Sequence, residues 1–274
     1  MRNKLIAGVA AGAIAAVGVA IPASAISDTS ADLYVLHAVP GLTVDVYVNG
    51  ELTLDDFEPG DLAGPLDLPA DTYTVAITAS DAMDDSAPAI GPIDLTLDAN
   101  MSYTAVAHLD ADGAPTASLF TNDLSAIPAG QGKLTVRHTA AAPAVDVLAN
   151  GAVAFENLSN PDEVKANLPV GTISAAVAAT GTTDPVIGPA DVTIAEGVNT
   201  IVYAWGSLAD DNLQLAVQTI DGLHSNPGGV DAGTAGLAAD NNNGALIGGL
   251  GALAALLALA GFAATRLTAA RASK

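Results

Sequence analysis

Cysteine is absent from the 274 residues, and with it go disulfide staples, thiolate metal sites and cysteine nucleophiles. A small extracellular domain lacking disulfides must stand on a sheet-based core or on packing against a neighbour. Basic side chains are almost as scarce. All 30 Asp and Glu lie between Asp28 and Asp240, opposed there by only Lys133, Arg137 and Lys165, a net charge of −27. Such a field repels nucleic acid and anionic lipid, so nucleic-acid partners are excluded, and it suits solubility outside the cell. Aromatic residues make up 4% of the chain, with Trp205 the one tryptophan, which leaves little to anchor a partner or to stack on sugar. Trp205 sits in the strand-like YAWG, Tyr203 to Gly206, and is expected in the core. No Gly-x-Ser-x-Gly elbow or other nucleophile motif occurs, and His37, His108, His138 and His224 are too dispersed for a zinc ligand set. The expectation is a protein that is not an enzyme and carries no cofactor.

What is present first explains the positive mean hydropathy of so acidic a chain. Arg2 and Lys4, the apolar run Leu5 to Ile21 and the small residues Ala23-Ser24-Ala25 predict a secretory signal peptide over residues 1–25. Ala245 to Thr265 carries no charge and, at about 1.5 Å per residue, is long enough to cross a hydrocarbon layer of about 30 Å, which predicts a transmembrane helix over 245–265. Arg266, Arg271 and Lys274 follow it, so residues 266–274 are expected as a basic cytoplasmic tail with the large acidic part outside. The lipid bilayer is then one partner. Residues 224–244 lack periodicity and read as a flexible spacer.

Between the ends, the sequence repeats at about one hundred residues. DLYVLHAVPGLTVDVYVNG, Asp32 to Gly50, returns as KLTVRHTAAAPAVDVLANG, Lys133 to Gly151. LPADTYTVAI and IGPIDLTLDAN, from Leu68 and Ile90, return as LPVGTISAAV and IGPADVTIAEGVN, from Leu168 and Ile187. These matches divide the chain into a first domain over 28–124, a linker over 125–132 and a second domain over 133–223. Each copy alternates apolar and polar residues with period two, as in TVDVYVNG and DTYTVAIT, and the runs are rich in β-branched residues and separated by Gly, Pro, Asn and Asp. Six or seven short strands per copy predict an all-β chain of two tandem small antiparallel β-sandwiches of immunoglobulin-like arrangement, a barrel being the alternative. In the second copy, Pro161, Asp162 and Glu163 of NPDEVKANL suit the first turn of a short helix.

The run of His37-Ala38, Pro40, Val44-Asp45-Val46 and Asn49-Gly50, then Leu68-Pro69, Tyr73 and Gly91-Pro92, resembles the bacterial extracellular family known as domain of unknown function 4397. The second copy carries His138, Pro143, Val145-Asp146-Val147, Asn150-Gly151, Leu168-Pro169, Gly171 and Gly188-Pro189, departing at Thr139 and Ile173. The resemblance implies tandem domains on a secreted or surface-anchored protein and assigns them no activity.

His37, Asp45, Asn49 and Gly50, with His138, Asp146, Asn150 and Gly151, are the recurring signature. Each histidine falls in phase with the apolar face of its strand and reads as a structural residue. Asp45 and Asp146 would orient these histidines if the two strands formed a hairpin, although alternation turns the aspartates away from the valine face. Asn-Gly is a tight-turn signal. DAMDD and DADG offer Asp81, Asp84, Asp85, Asp110 and Asp112 as weak calcium candidates without the later ligands of a full EF-hand loop. The function expected is a membrane-anchored bacterial surface protein whose tandem noncatalytic domains are structural or bind an envelope protein or polysaccharide; a carbohydrate-binding or adhesion module is the alternative, and a surface hydrolase a third.

Overall fold

The alternating runs become strands, eight in each copy. A computed structural model of the chain describes residues 26–225. The first copy forms β1 (Ser30–Ala38), β2 (Val44–Val48), β3 (Glu51–Phe57), β4 (Leu62–Pro69), β5 (Asp71–Ala79), β6 (Ile90–Leu97), β7 (Ser102–Leu109) and β8 (Pro115–Thr121). The second forms β9 (Gln131–Ala141), β10 (Val145–Ala149), β11 (Ala152–Leu158), β12 (Glu163–Pro169), β13 (Gly171–Ala179), β14 (Pro185–Ile194), β15 (Asn199–Ser207) and β16 (Gln214–Ile220). The signal peptide, the transmembrane helix, the basic tail and all of the spacer after Ser225 lie outside the described residues. Among the described residues no helix is long and apolar enough to cross a membrane.

Each copy is a sandwich of two four-stranded sheets with the same strand order. The first pairs β4-β1-β7-β8 with β3-β2-β5-β6, and the second pairs β12-β9-β15-β16 with β11-β10-β13-β14. Two expectations are corrected here. The sheets are not antiparallel throughout, because β1 runs parallel to β7 and β9 parallel to β15. Nor is the order that of an immunoglobulin domain, whose first two strands share a sheet; here β1 and β2 lie in opposite sheets. The expected helical turn is also absent: Glu163–Pro169 is β12, paired residue by residue with β9. Val164 and Leu168 alternate into the second core, and this burial outweighs the helix-start signal of Pro161 to Glu163.

Three cores result. Leu33, Val35, Val46 and Ile77 belong to the first sandwich, and Leu134, Val136, Val147 and Val177 to the second. A third joins Leu36, Val106 and Phe120 of the first copy to Ile201, Tyr203 and Trp205 of the second. The outer faces of β1, β7 and β8 thus pack on those of β15 and β16, and the two sandwiches share a common interior. This is why β15, Asn-Thr-Ile-Val-Tyr-Ala-Trp-Gly-Ser, is buried along its whole length. Each large apolar side chain so buried contributes about 1.5–3 kcal/mol, so these six hold the copies together by on the order of 10 kcal/mol before ordering costs. The join between the copies is itself pinned: Ile127 is buried and its backbone bonds to Leu223 and Ser225.

Candidate functional site

The histidine of the signature ends the first strand of each copy, where the chain crosses from one sheet to the other. His37 donates from Nε2 to the carbonyl of Leu42 at 2.6 Å, and His138 from Nε2 to the carbonyl of Pro143 at 3.2 Å. Each ring therefore fastens the crossover that leads into β2 or β10. His138 Nδ1 accepts the N–H of Ala140, whereas the buried Nδ1 of His37 has no partner and its ring stacks on Phe57. Burial pushes both histidines below their ordinary range and overrides the backbone bonds that favour protonation, so both rings are neutral at pH 7.

The aspartates answer a different need. β3 carries one more residue than β2 between Val44↔Phe57 and Val46↔Leu54, a bulge that leaves a backbone N–H outside the ladder. Asp45 Oδ1 accepts that N–H, from Asp56, at 2.9 Å. In the second copy Asp146 accepts the N–H of Asn157 at 2.8 Å with Oδ1 and that of Gly181 at 2.8 Å with Oδ2. Those backbone bonds hold the Asp146 carboxyl below its usual range. The hairpin needed for a His-Asp pair does not form, since β1 and β2 occupy different sheets. No recorded hydrogen bond joins His37 to Asp45 or His138 to Asp146 among the described residues.

Asn49 and Asn150 take φ of 51° and 52°, and Gly50 and Gly151 both take 80°, the backbone of a tight two-residue hairpin. Each asparagine carbonyl also accepts an N–H from the neighbouring strand, Thr74 at 2.9 Å and Ser174 at 3.0 Å. The Gly-Pro element is explained by close approach. A Cβ on Gly91 would lie 2.7 Å from the carbonyl of Val75, and one on Gly188 2.8 Å from that of Ala175.

The acidic loops split in the same way. Asp110 Oδ1 accepts the N–H groups of Asp112 and Ala114 and so folds its own loop, while Asp84 accepts that of Ser86. The three carboxylates that come within 4.8 Å of one another are instead Asp45, Asp55 and Asp56 at the bulge. Asp81, Asp84, Asp85, Asp110 and Asp112 form no such group among the described residues.

Sequence reading passed over two buried constellations, one within the first copy and one that the packing of the copies creates. His108, buried on β7, donates from Nδ1 to the carbonyl of Leu109 at 2.8 Å, which leaves Nε2 to accept the hydroxyl of Ser118 at 2.9 Å. Burial lowers its pKa and keeps it neutral. Arg137 on β9 is 1% exposed and binds Glu163 Oε2 at 2.8 Å, Tyr203 Oη at 2.7 Å and Asn122 Oδ1 at 3.1 Å, with the Phe120 ring 4.5 Å away. Burial raises the Glu163 carboxyl, but hydrogen bonds from Lys165 and Arg137 and their charge outweigh it and hold the group low. Lys133 pairs with Asp123 at 2.8 Å; despite burial, hydrogen bonds from Lys133 and Ser125 bring that carboxyl to about 2. The three bases of the acidic region thus all sit on β9 and β12, at or beside the join, a concentration visible in the sequence only as their scarcity elsewhere. No aromatic side chain of the described residues is exposed, and Trp205 belongs to the core between the copies.

Residues 31–148 match the model of a family described as Domain of unknown function (DUF4397), spanning the first copy and the second as far as β10. No curated protein matches the chain.

Proposed function

We propose from the geometry that the protein, whose residues 31–148 match the DUF4397 model, a family whose description names no activity, is a noncatalytic surface module whose two repeats act as one rigid head. The observation that carries this reading is the third core: Arg137, Phe120, Tyr203 and Trp205 join two sandwiches that the sequence separates by a short linker. The signature histidines and aspartates support it, because each fastens backbone of its own copy. A net charge of −27 over Asp28 to Asp240 and the expected leader and membrane span suit display outside a bacterial membrane. Tyr34, Tyr73 and Phe155 are half-buried and the other described aromatics are buried, so no exposed aromatic row supports a sugar-stacking platform.

Protease added to intact cells tests the location. Loss of the two repeats together, at a dose that also cuts a known surface protein, is expected. Their survival while that control is cut would contradict surface display.

A further inference from the structure

We propose that the interior of the first sandwich binds a single-chain aliphatic molecule with an uncharged polar end. Between its sheets lies a cavity of about 280 Å³, and the second sandwich has one of about 230 Å³ at the corresponding place. Alternation turns Leu54, Leu66, Leu68, Val75 and Ile93 into this space, yet all five are only partly buried. The same chain packs to closure elsewhere: Leu36, Val106, Ile201 and Tyr203 between the copies are at most 1% exposed. The void is therefore a local feature of the sandwich interiors, and an unfilled apolar cavity costs packing energy in proportion to its volume. Its size is roughly twice that of an apolar cavity of about 150 Å³ that takes up the six carbons of benzene, so on that scale it fits a chain of roughly ten carbons.

The polar end follows from the rim. Asn49, Glu51 and Thr53 line the cavity and are exposed, and the pairing Val48↔Glu51 puts Glu51 on the face of Val48, toward the space. Glu51 is the one charged residue of the lining. A carboxylate there, in a strongly acidic molecule, repels an anionic head and accepts a hydrogen bond from a hydroxyl. The second cavity has only apolar lining, with Ala154 among it, and Ala152 stands at the register position of Glu51. It takes the hydrocarbon without reading the head.

Isothermal titration of residues 26–225, which contain all three cores, with decan-1-ol and with decanoate at pH 7.5 tests the proposal. Saturable binding of decan-1-ol is expected, with decanoate about tenfold weaker at the first site. Val75→Trp, which fills the first cavity, should remove one decan-1-ol per chain, and Glu51→Gln should bring decanoate to within about threefold of the alcohol. No saturable binding, an unchanged stoichiometry in folded Val75→Trp, or equal affinity of decanoate and decan-1-ol at the first site of the unaltered protein would overturn the proposal. If Val75→Trp does not fold, nuclear Overhauser contacts from decan-1-ol to the Val75 and Ile93 methyls of the unaltered protein decide it: their presence supports the site, and their absence overturns it.

Discussion

At the scale of residues, the signature is a set of fasteners. Asp146 satisfies two backbone N–H groups that the sheet leaves unpaired. Asp146→Ala should therefore cost about 2–4 kcal/mol in urea unfolding, with Asp146→Asn costing less because one acceptor remains. A loss below about 0.5 kcal/mol for the alanine would contradict the fastening role. The histidines predict a pH dependence. Burial lowers the pKa of His37, His108 and His138 from an ordinary value of 6.5, so below that value the unfolded chain binds protons that the folded chain does not. Stability should fall as pH drops from about 7 toward 5, and fall further below about 4 as Asp123, held at about 2, begins to lose its pair with Lys133. Melting temperatures across this range, compared with those of His138→Gln, check the sign: the variant should show a shallower decline between pH 7 and 5.

At the scale of elements, the glycines of the Gly-Pro pairs set how closely neighbouring strands approach. Gly188 has φ of 86° and no room for a Cβ beside the carbonyl of Ala175, so Gly188→Ala should destabilise by about 2 kcal/mol or more in the same assay. Legibility in the sequence varied with the same local chemistry. β2 and β5 were readable because Val44, Val46 and Val48, and Tyr73, Val75 and Ile77, keep period two without interruption. β3 and β4 were not. The bulge at Asp55-Asp56 breaks the alternation of β3, and Gly64-Pro65 interrupts β4 where its pairing with β1 shifts register. The helix-start pattern at Pro161 to Glu163 misled because it is local, while Val164 and Leu168 are held by a core assembled from distant strands. The separation of His37 from Asp45 was half readable: alternation put the aspartate on the far side from the valines, but only the assembled sandwich places the two strands in different sheets.

For the whole molecule, the repeat was legible and its consequence was not. Aligned residues of the copies differ on the faces that meet: Leu36 answers to Arg137, Val106 to Tyr203 and His108 to Trp205 in matched register. Two copies with different outer faces make one asymmetric joint, and no pattern within a single copy announces it. Differential scanning calorimetry of residues 26–225 tests this claim most directly. One transition is predicted, with calorimetric and van't Hoff enthalpies equal, and Arg137→Ala should lower its midpoint, at a cost of about 3 kcal/mol, by removing a buried partner of Glu163 and Tyr203. Two transitions in the unaltered protein, each carrying about half of the enthalpy, would show two independent domains and contradict the account.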